Sequence, residues 1–395
     1  MKVGIYHEFG GSDELGGTEV TVAVLAEALR HRYQVEIVNH ARSLTLQRLG
    51  EFSQLNLEGI HLRNTPESSQ SHISARNFWH KYRFAKLWQA SLSSPYDVFI
   101  NFAHGLPPFC HARKGVLVVM FPFFRPFHSE RSLSSAVSEG SLLRRHLQRN
   151  YHRWEWKKRL SSYHLTLAIS KFTQLWTRRR WGIESRLMYP PVDTSSLPSN
   201  KEDLIISVGR FSTRWHQKKQ VEMVDAFRHL DARLPTWEYL SVGALGDLKA
   251  DRDFFAAVQK SAAGSRVRVA SNVRTVELKN AYEQAKIFWH ATGYDEDDQA
   301  HPERAEHFGM VTIEAMAAGC VPVVINKGGQ PEIVEHGVNG FLWNTLAELR
   351  DYTIMLANDE KLLARMSGAA RSRANHFSRK NFVDHFLALI QSLVS

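Results

Sequence analysis

The chain has 395 residues, of which 43% are hydrophobic and 23% are charged; these are the proportions of a globular protein and exclude global disorder. Its two cysteines, Cys110 and Cys320, exclude a disulfide framework and a cysteine-based zinc module, and fit a reducing compartment. The net charge is +10, and residues 1–195 hold 26 Lys and Arg against 15 Asp and Glu, whereas the remainder is nearly neutral. We therefore expect the first half to meet an anionic partner, such as nucleic acid, a membrane surface or a phosphorylated substrate.

The amino-terminal segment and the apolar runs bear on location. Residues 1–11 read MKVGIYHEFGG, with one lysine and a short apolar run, so we expect neither a signal peptide nor a transit peptide. The longest apolar run, 116–124, is too short to span a bilayer. We therefore expect a cytoplasmic protein, or one at the inner face of a membrane.

The first half begins as strand, glycine-rich loop, helix and strand. A β-like run at 2–7 precedes a helical pattern at 18–31 and a second strand at 34–38, which predicts a βαβ unit and a parallel sheet. Further elements predicted in this half are strands at 97–102, 115–121 and 165–170 and helices at 132–162 and 171–180.

A break at 189–200, rich in Pro and Ser, predicts an interdomain linker. A second βα series follows it. Its predicted strands are 204–208, 239–242, 266–270, 287–291 and 321–325, and its predicted helices are 221–230, 275–285 and 309–318. The chain is thus predicted to form two doubly wound α/β units, in which ligands bind at the carboxyl ends of strands.

The densest chemical signal is the segment EHFGMVTIEAMAAGCVPVVINKGGQPEIVE, which begins at Glu306. We expect Glu306 in a loop and Glu314 in a helix that starts near Gly309. The unpaired amides of such a helix start, together with its dipole, favour a phosphate. An ordinary amphipathic helix would explain Glu314 alone, but not the whole string.

A second signal follows the strand that ends at Val208. Arg210 and Lys218 could converge on one diphosphate, because Arg supplies a planar fork and Lys a point charge. Solvated surface charge is the alternative, and we favour it for Lys219.

A third signal is the loop from Gly10 to Gly17, whose glycines would let backbone approach a phosphate or a sugar. This loop does not match G-x-G-x-x-G, and Thr18 could serve only as a helix N-cap.

Together these residues resemble the retaining GT-B glycosyltransferases of the GT4 family. The matching strings are GGTEV, YPPVD, VGR with KK, EHFGMVTIEAMAAGCVPVV and GGQPEIV, and the glutamate pair fits the E-x7-E signature of that family. The resemblance implies two facing Rossmann-like domains with a central cleft. It assigns 1–190 to the acceptor, 191–376 to the nucleotide-sugar donor, and 377–395 to a helix that crosses back onto the first domain.

The resemblance also implies a role for each site residue. Arg210 and Lys218 would hold the donor diphosphate, Glu314 would bind the ribose hydroxyls, and Glu306 would contact the donor sugar. The other donor-binding residues that it implies are Gly17, Asn272, Val273, Arg274, His307, Phe308, Gly309, Met310 and Val311.

Breaking the donor's glycosyl–phosphate bond leaves a nucleoside diphosphate that gains negative charge, which these cations and helix amides would stabilise. We therefore expect no metal and no cofactor, with a UDP- or GDP-linked sugar as co-substrate. A carboxylate near the anomeric carbon could serve as a nucleophile or only position the sugar. For Glu306 we favour positioning, because the resemblance implies front-face displacement.

Many members of the family carry a histidine where this chain has Met120. His104, in NFAHGLPP, is a possible replacement with a catalytic role, and the alternative is a polar loop residue. The acidic run 295–298 resembles a metal site, but we reject a metal there and expect a solvated loop beside the donor sugar.

The segment 144–186 is strongly basic, with Tyr and Trp between its Lys and Arg residues. It could contact anionic lipid or stack nucleobases, or it could be a solvated face over an aromatic core. For a glycosyltransferase, a membrane contact is the natural interpretation, because many acceptors are lipid-linked sugars.

The sequence therefore predicts a metal-independent, retaining glycosyltransferase that moves a sugar from a nucleotide diphosphate donor to a glycan or lipid-linked acceptor. Its expected setting is bacterial polysaccharide or glycolipid synthesis. A non-catalytic nucleotide-sugar-binding scaffold is the alternative, and a nucleic-acid binder ranks last.

Overall fold

The structure is a computed structural model that describes residues 1–7, 15–40, 43–65, 87–123, 142–195, 200–213 and 217–395, with the backbone alone for 142–149, 151 and 152. The chain divides into two compact units. The first contains Met1–Tyr189 and Val383–Ser395, and the second contains Pro190–Phe382.

The first unit is built on a parallel sheet of seven strands in the order β3-β2-β1-β4-β5-β6-β7. Its strands are β1 (Lys2–His7), β2 (Gln34–Asn39), β3 (His61–Asn64), β4 (Val98–Ala103), β5 (Lys114–Val119), β6 (Leu165–Ala168) and β7 (Arg186–Leu187). Its helices are α1 (Gly17–Arg30), α2 (Leu46–Ser53), α3 (described over 87–93), α4 (Leu142–Ser161) and α5 (Lys171–Trp181). The sheet is covered on its faces, so its central strands are continuous apolar runs.

The second unit is built on a parallel sheet of six strands in the order β10-β9-β8-β11-β12-β13. These strands are β8 (Glu202–Val208), β9 (Glu238–Gly243), β10 (Val267–Ser271), β11 (Ala285–His290), β12 (Val321–Ile325) and β13 (Phe341–Trp343). The helices are α6 (Gln220–Arg228), α7 (Lys249–Ala262), α8 (Thr275–Gln284), α9 (Met310–Ala317), α10 (Gln330–Ile333), α11 (Leu346–Asn358) and α12 (Glu360–Ala374), and α13 (Arg379–Val394) ends the chain.

The predicted class, two α/β units with parallel sheets, is confirmed. In each sheet the strand order reverses once, between β1 and β4 in the first and between β8 and β11 in the second. A crevice opens at such a reversal, because the helices that follow the two neighbouring strands leave toward opposite faces. The second crevice lies over a core that includes Trp289, Tyr239 and Phe227, all fully buried.

Several expected boundaries shift, and several elements lie where none was expected. The helix predicted over 132–162 is seen as Leu142–Ser161, and 132–141 falls outside the described residues. The predicted carboxyl-terminal helix begins at Arg379, because Asn375–Phe377 form a 3-10 turn. The sequence interpretation placed no element at α2, α3, α7, α10, α11, α12, β3, β7 or β13.

Candidate active site

The carboxyl end of β8 begins the candidate site of the second unit. The strand ends at Val208, Gly209 follows, and the side chain of Arg210 is exposed. A Cβ on Gly209 would meet the Cγ of Lys218 at 2.6 Å, so the absence of a side chain lets the lysine stem cross the strand end. Lys218 and Gly209 also line a small pocket with His290, the last residue of β11. The reversal of strand order therefore brings together groups that lie far apart in the chain.

Glu306 stands at the centre of this group. Its Oε2 accepts a hydrogen bond from Lys218 Nζ at 2.6 Å, and it lies 3.2 Å from Nε2 of His290. The side chains of Lys218 and Glu306 are 19% and 18% exposed, so the ion pair is shielded and still within reach of a ligand. At a strand end, such a cation can bind an anionic group of a ligand, while the carboxylate beside it accepts hydrogen bonds from the hydroxyl groups of the same ligand.

His290 is a site residue that the sequence interpretation missed. It is 3% exposed, and its Nε2 also lies 3.2 Å from Oγ1 of the fully buried Thr292. Burial lowers the pKa of His290, the charge of Lys218 acts in the same direction, and the hydrogen bond to Glu306 opposes both. A polar residue that ends an otherwise apolar strand next to the sheet reversal was the signal available in the sequence.

The acidic loop after β11 carries the exposed Asp295 and Asp297, in keeping with a solvated loop, and it is anchored at Glu296. Glu296 bonds Lys219 at 3.0 Å and Arg304 at 2.9 Å, and Nζ of Lys327 donates to its carbonyl at 2.5 Å. Although burial alone raises it, the hydrogen bonds from Arg304 and Lys219 hold the pKa of Glu296 below its usual value. Lys219 is 8% exposed and anchors this loop, so the expectation that it is solvated surface charge was wrong, while its neighbour Lys218 points to Glu306.

The helix start predicted near Gly309 is confirmed, with Glu306 in the preceding loop and Glu314 within α9. Gly309 has a φ of 116°, a conformation that suits glycine, and α9 has no side-chain cap. Its first-turn amides, at Met310 and Val311, therefore face outward from the helix start, as an anion site requires. Gly329 holds the loop, because its N–H donates to the carbonyl of Glu306 at 2.8 Å.

The two residues between Glu306 and Gly309 are buried parts of the same loop. His307 is 9% exposed and Phe308 is 2% exposed, and the Phe308 ring packs edge-on against Phe377. A Cβ on Gly329 would meet the Phe308 backbone at 2.6 Å. Their side chains therefore shape the loop, and the atoms that they can offer a ligand are those of the backbone.

Glu314 lies in a different environment from Glu306. The hydroxyl of Tyr282 donates to its Oε2 at 3.3 Å. Burial and the negative charge of Asp193 raise the pKa of Glu314, against the opposing effects of Tyr282 and Arg379. A carboxyl group with a phenol beside it suits neutral hydroxyl partners better than a cation.

Asn272, Val273 and Arg274 follow β10. Asn272 has a φ of 53°, and its Oδ1 accepts a hydrogen bond from the N–H of Leu245 at 2.8 Å. Arg274 pairs with Glu277 at 2.6 Å at the start of α8, and both side chains are exposed. The structure thus gives the side chains of Asn272 and Arg274 local partners, and it does not bring them to Glu306.

The first unit carries the other predicted site residues. Gly17 is the first residue of α1 and Gly16 is its N-cap, so Thr18 lies inside the helix and is not its cap. His104 is exposed after β4, with its ring centroid 5.9 Å from that of His7. Met120 is 6% exposed, and its thioether lacks the ring N–H and basic nitrogen of a histidine.

His7 and Glu19 form a pair in this unit that the sequence interpretation missed. His7 Nε2 lies 3.3 Å from Glu19 Oε1, and its Nδ1 lies 3.4 Å from the carbonyl of Phe102. The other carboxylate oxygen, Oε2, accepts from the N–H of Gly16 at 2.8 Å. The pair closes the start of α1.

The described part of the basic segment separates into two sets of side chains. Trp156 and Trp181 pack edge-on with centroids 5.2 Å apart, and Arg159 is buried with its Nη1 on the carbonyl of Pro107. The exposed set contains Arg153, Trp154, Lys157, Lys158, Lys171, Leu175, Arg178 and Arg179. Arg144, Arg145 and Arg149 lie outside the described side chains.

The described residues contain neither a membrane-spanning helix nor a cluster of metal-ligating side chains. None of the helices in these ranges is both long enough and apolar enough to cross a membrane. Within the same ranges, no group of three or more His, Cys, Asp or Glu residues could hold a metal ion.

Two protein-family models match the chain, and each covers most of one unit. A family model described as "Glycosyl transferases group 1" matches residues 192–373, and one described as "Glycosyltransferase Family 4" matches residues 15–196. The GDP-Man:Man(3)GlcNAc(2)-PP-Dol alpha-1,2-mannosyltransferase of Dictyostelium discoideum is 25% identical over 238 residues, 55% of this chain and 44% of that protein. The chain thus matches less than half the length of this relative.

Solved structures show the same fold. A glycosyltransferase of Rickettsia africae superposes with a TM-score of 0.70 at 16% identity, covering 100% of this chain and 98% of that one. Anabaena HepE in complex with UDP and glucose superposes with a TM-score of 0.66 at 16% identity, covering 100% of both chains. The two family models together match residues 15–373, and the chain therefore belongs to the GT4 family of glycosyltransferases and has the GT-B fold.

Proposed function

We propose that the chain is a metal-independent, retaining glycosyltransferase that moves a sugar from a nucleotide diphosphate donor to a glycan or lipid-linked acceptor. The contact of Lys218 with Glu306 at 2.6 Å, at the sheet reversal of the second unit, is the observation that carries this proposal. It puts a cation suited to a phosphate beside a carboxylate suited to sugar hydroxyls, and the uncapped start of α9 follows three residues after Glu306.

In the proposed reaction, the bond between the anomeric carbon and the diphosphate oxygen breaks, and its electron pair stays on the diphosphate. Arg210, Lys218 and the amides of Gly309, Met310 and Val311 stabilise that growing charge. The acceptor hydroxyl attacks from the same face of the sugar, and its proton passes to the departing phosphate oxygen. These residues do for the leaving group what a metal ion would otherwise do.

Glu306 acts in this reaction by positioning the sugar. Its Oε2 also lies 3.2 Å from Nε2 of His290, and a hydrogen bond to that oxygen lowers its nucleophilicity, which favours front-face displacement over a covalent intermediate. Glu314 and the neighbouring Tyr282 hydroxyl suit the ribose hydroxyls. The base would lie near Asn272, Val273 and Arg274, and Gly17 and His104 would act from the first unit.

The donor is tested by thermal shift with UDP, GDP and ADP sugars. A ligand at 100 times its dissociation constant adds about 2.7 kcal/mol to the free energy of unfolding. A relative named above uses GDP-mannose, and a solved structure of the same fold contains UDP and glucose, so GDP-mannose and UDP-glucose are the first two probes. Binding of a nucleotide sugar with no turnover would instead support the scaffold alternative.

Glu306→Ala and Arg210→Ala should abolish release of nucleotide from the donor that binds, while the melting temperature stays within a few degrees of wild type. The matched control is the exposed pair Arg268 and Glu238 in the same unit, 3.1 Å apart, whose alanine variants should keep full activity. Full activity in either site variant would overturn the site assignment.

The proposed acceptor side is the first unit. Its exposed cations on α4 and α5, with the 56% exposed Trp154 among them, suit anionic lipid headgroups. We therefore place the enzyme at the inner face of a bacterial membrane, in polysaccharide or glycolipid synthesis. Sedimentation with phosphatidylglycerol vesicles should fall when Lys157 and Lys158 become Glu, and equal sedimentation of the variant would overturn this placement.

A further inference from the structure

The buried histidine at the end of β11 has a defined set of neighbours. His290 has a side chain that is 2% exposed, so it offers a substrate almost no surface. Its Nε2 faces two oxygen atoms, Oε2 of Glu306 and Oγ1 of Thr292, each at 3.2 Å. Its Nδ1 is buried and has no hydrogen-bond partner among the described residues. All its polar contacts therefore pass through one ring nitrogen.

These contacts decide where the ring carries its proton. A carboxylate oxygen that faces the ammonium of Lys218 accepts hydrogen bonds and donates none, so Nε2 must supply the hydrogen. Burial lowers the pKa of His290, and Lys218 lowers it further, while Glu306 acts against both; the ring is therefore neutral near pH 7. A neutral ring protonated at Nε2 leaves a lone pair on Nδ1, which agrees with the missing partner there.

The two donors to Glu306 differ in how firmly they are held. Lys218 lies before α6 on a four-carbon stem and is 19% exposed, whereas His290 is the last residue of a central strand of the sheet. A diphosphate with two or more negative charges would draw the ammonium away from a single carboxylate. Glu306 would then lose its cation at the stage when it must hold the sugar.

We propose that His290 is a positioning residue: its Nε2–H keeps the Glu306 carboxylate oriented toward the donor sugar while Lys218 turns to the diphosphate. This inference rests on the proposed function. Neither the glutamate pair of the family signature nor the start of α9 keeps Glu306 oriented, and this task falls to the buried histidine. It also explains why the two donors share one carboxylate oxygen, since one of them leaves during the cycle.

The test uses the full chain and measures release of nucleotide from GDP-mannose, or from UDP-glucose if that sugar raises the melting temperature of wild type. His290→Leu removes the N–H donor, and the side chain of His290→Asn is too short to reach Glu306. In both variants kcat should fall about 10–100-fold. His290→Gln restores an N–H at the position of Nε2 and should stay within about threefold of wild type. The affinity for free GDP or UDP should stay within about twofold in all three, because His290 acts on the sugar side.

The control is His336, an exposed histidine of the same unit whose Nδ1 accepts from the N–H of Leu342. His336→Leu should match wild type. If wild type turns over the donor and His290→Leu does so equally well, this inference alone is overturned. If wild type neither binds nor turns over a donor, the proposed function is overturned with it.

A second measurement needs no turnover. Nitrogen-15 NMR of histidine-labelled protein should show His290 neutral and protonated at Nε2 at pH 7.5, both alone and with saturating GDP. The signal should change in Glu306→Ala. A ring protonated at Nδ1, or on both nitrogens, would overturn the proposed hydrogen bond even if every variant folds.

Discussion

Each unit holds a histidine and a glutamate at its sheet reversal, and the two pairs have nearly the same length. His7 and Glu19 are 3.3 Å apart in the first unit, and His290 and Glu306 are 3.2 Å apart in the second. The position of the glutamate separates them. Glu19 lies inside α1 and caps Gly16, so the chain itself supplies the anion at that helix start.

Glu306 stands before its helix, and α9 keeps an uncapped start. A lysine joins the second pair, and none of the described contacts of Glu19 is with a lysine or arginine. The same two residue types can therefore close a helix start when the glutamate lies inside the helix, or leave it open for a ligand when the glutamate lies before the helix.

The largest effect is expected from the neighbouring lysines 218 and 219. Lys218→Ala should lower kcat by about 10²–10³-fold, the usual effect of removing one group that stabilises developing negative charge. Lys219→Ala should instead lower the free energy of unfolding by about 1–3 kcal/mol, because it leaves Glu296 without a buried partner. Donor turnover and urea unfolding of both variants measure this, and equal kinetic losses would show that the site extends to Lys219.

The next effect concerns Glu19. Glu19→Ala removes the cap on Gly16 and the partner of His7, and should lower the free energy of unfolding by about 1–3 kcal/mol. Its control on the same helix is Glu27→Ala, whose contacts to Arg30 and His31 are 4.0 Å long and should matter by less than about 0.5 kcal/mol. A stable Glu19→Ala protein that no longer turns over donor would contradict the structural role of this pair.

The smallest effect is a change with pH. The folded state lowers the pKa of His290, so as pH falls below the unfolded value of 6.5 the unfolded chain binds a proton that the folded chain does not. This contribution to stability is complete above pH 6.5 and is lost as pH falls toward the folded pKa. Glu306 opposes the shift and Lys218 adds to it.

Replacing His290 with Gln removes that loss. Between pH 7.5 and 5.5, the free energy of unfolding should fall less in His290→Gln than in wild type, by about 1 kcal/mol, since one pH unit is worth about 1.4 kcal/mol per proton. Urea unfolding at the two pH values measures the difference. Parallel losses in the two proteins would contradict a buried neutral ring.

The sequence predicted most of the central strands, because a buried parallel strand is a local apolar run. Strand β12 was predicted over its full length, and β1 likewise. The edge strands β3 and β13 have four and three residues, too few for any periodicity. Helices α7, α11 and α12 carry apolar positions at helical spacing, and that pattern was a usable signal for them.

The candidate site shows the same division. The spacing of Glu306 and Glu314 and the glycine before α9 are local features, and they led to the family and to the helix start. The sequence by itself thus determined the α/β class, the family and the glutamates. Only the tertiary structure decided that Lys218 meets Glu306 across 88 positions and that His290 lies beside it across 16. The reason is physical: strand order and the reversal between β8 and β11 set these contacts, and neither is encoded in a local pattern.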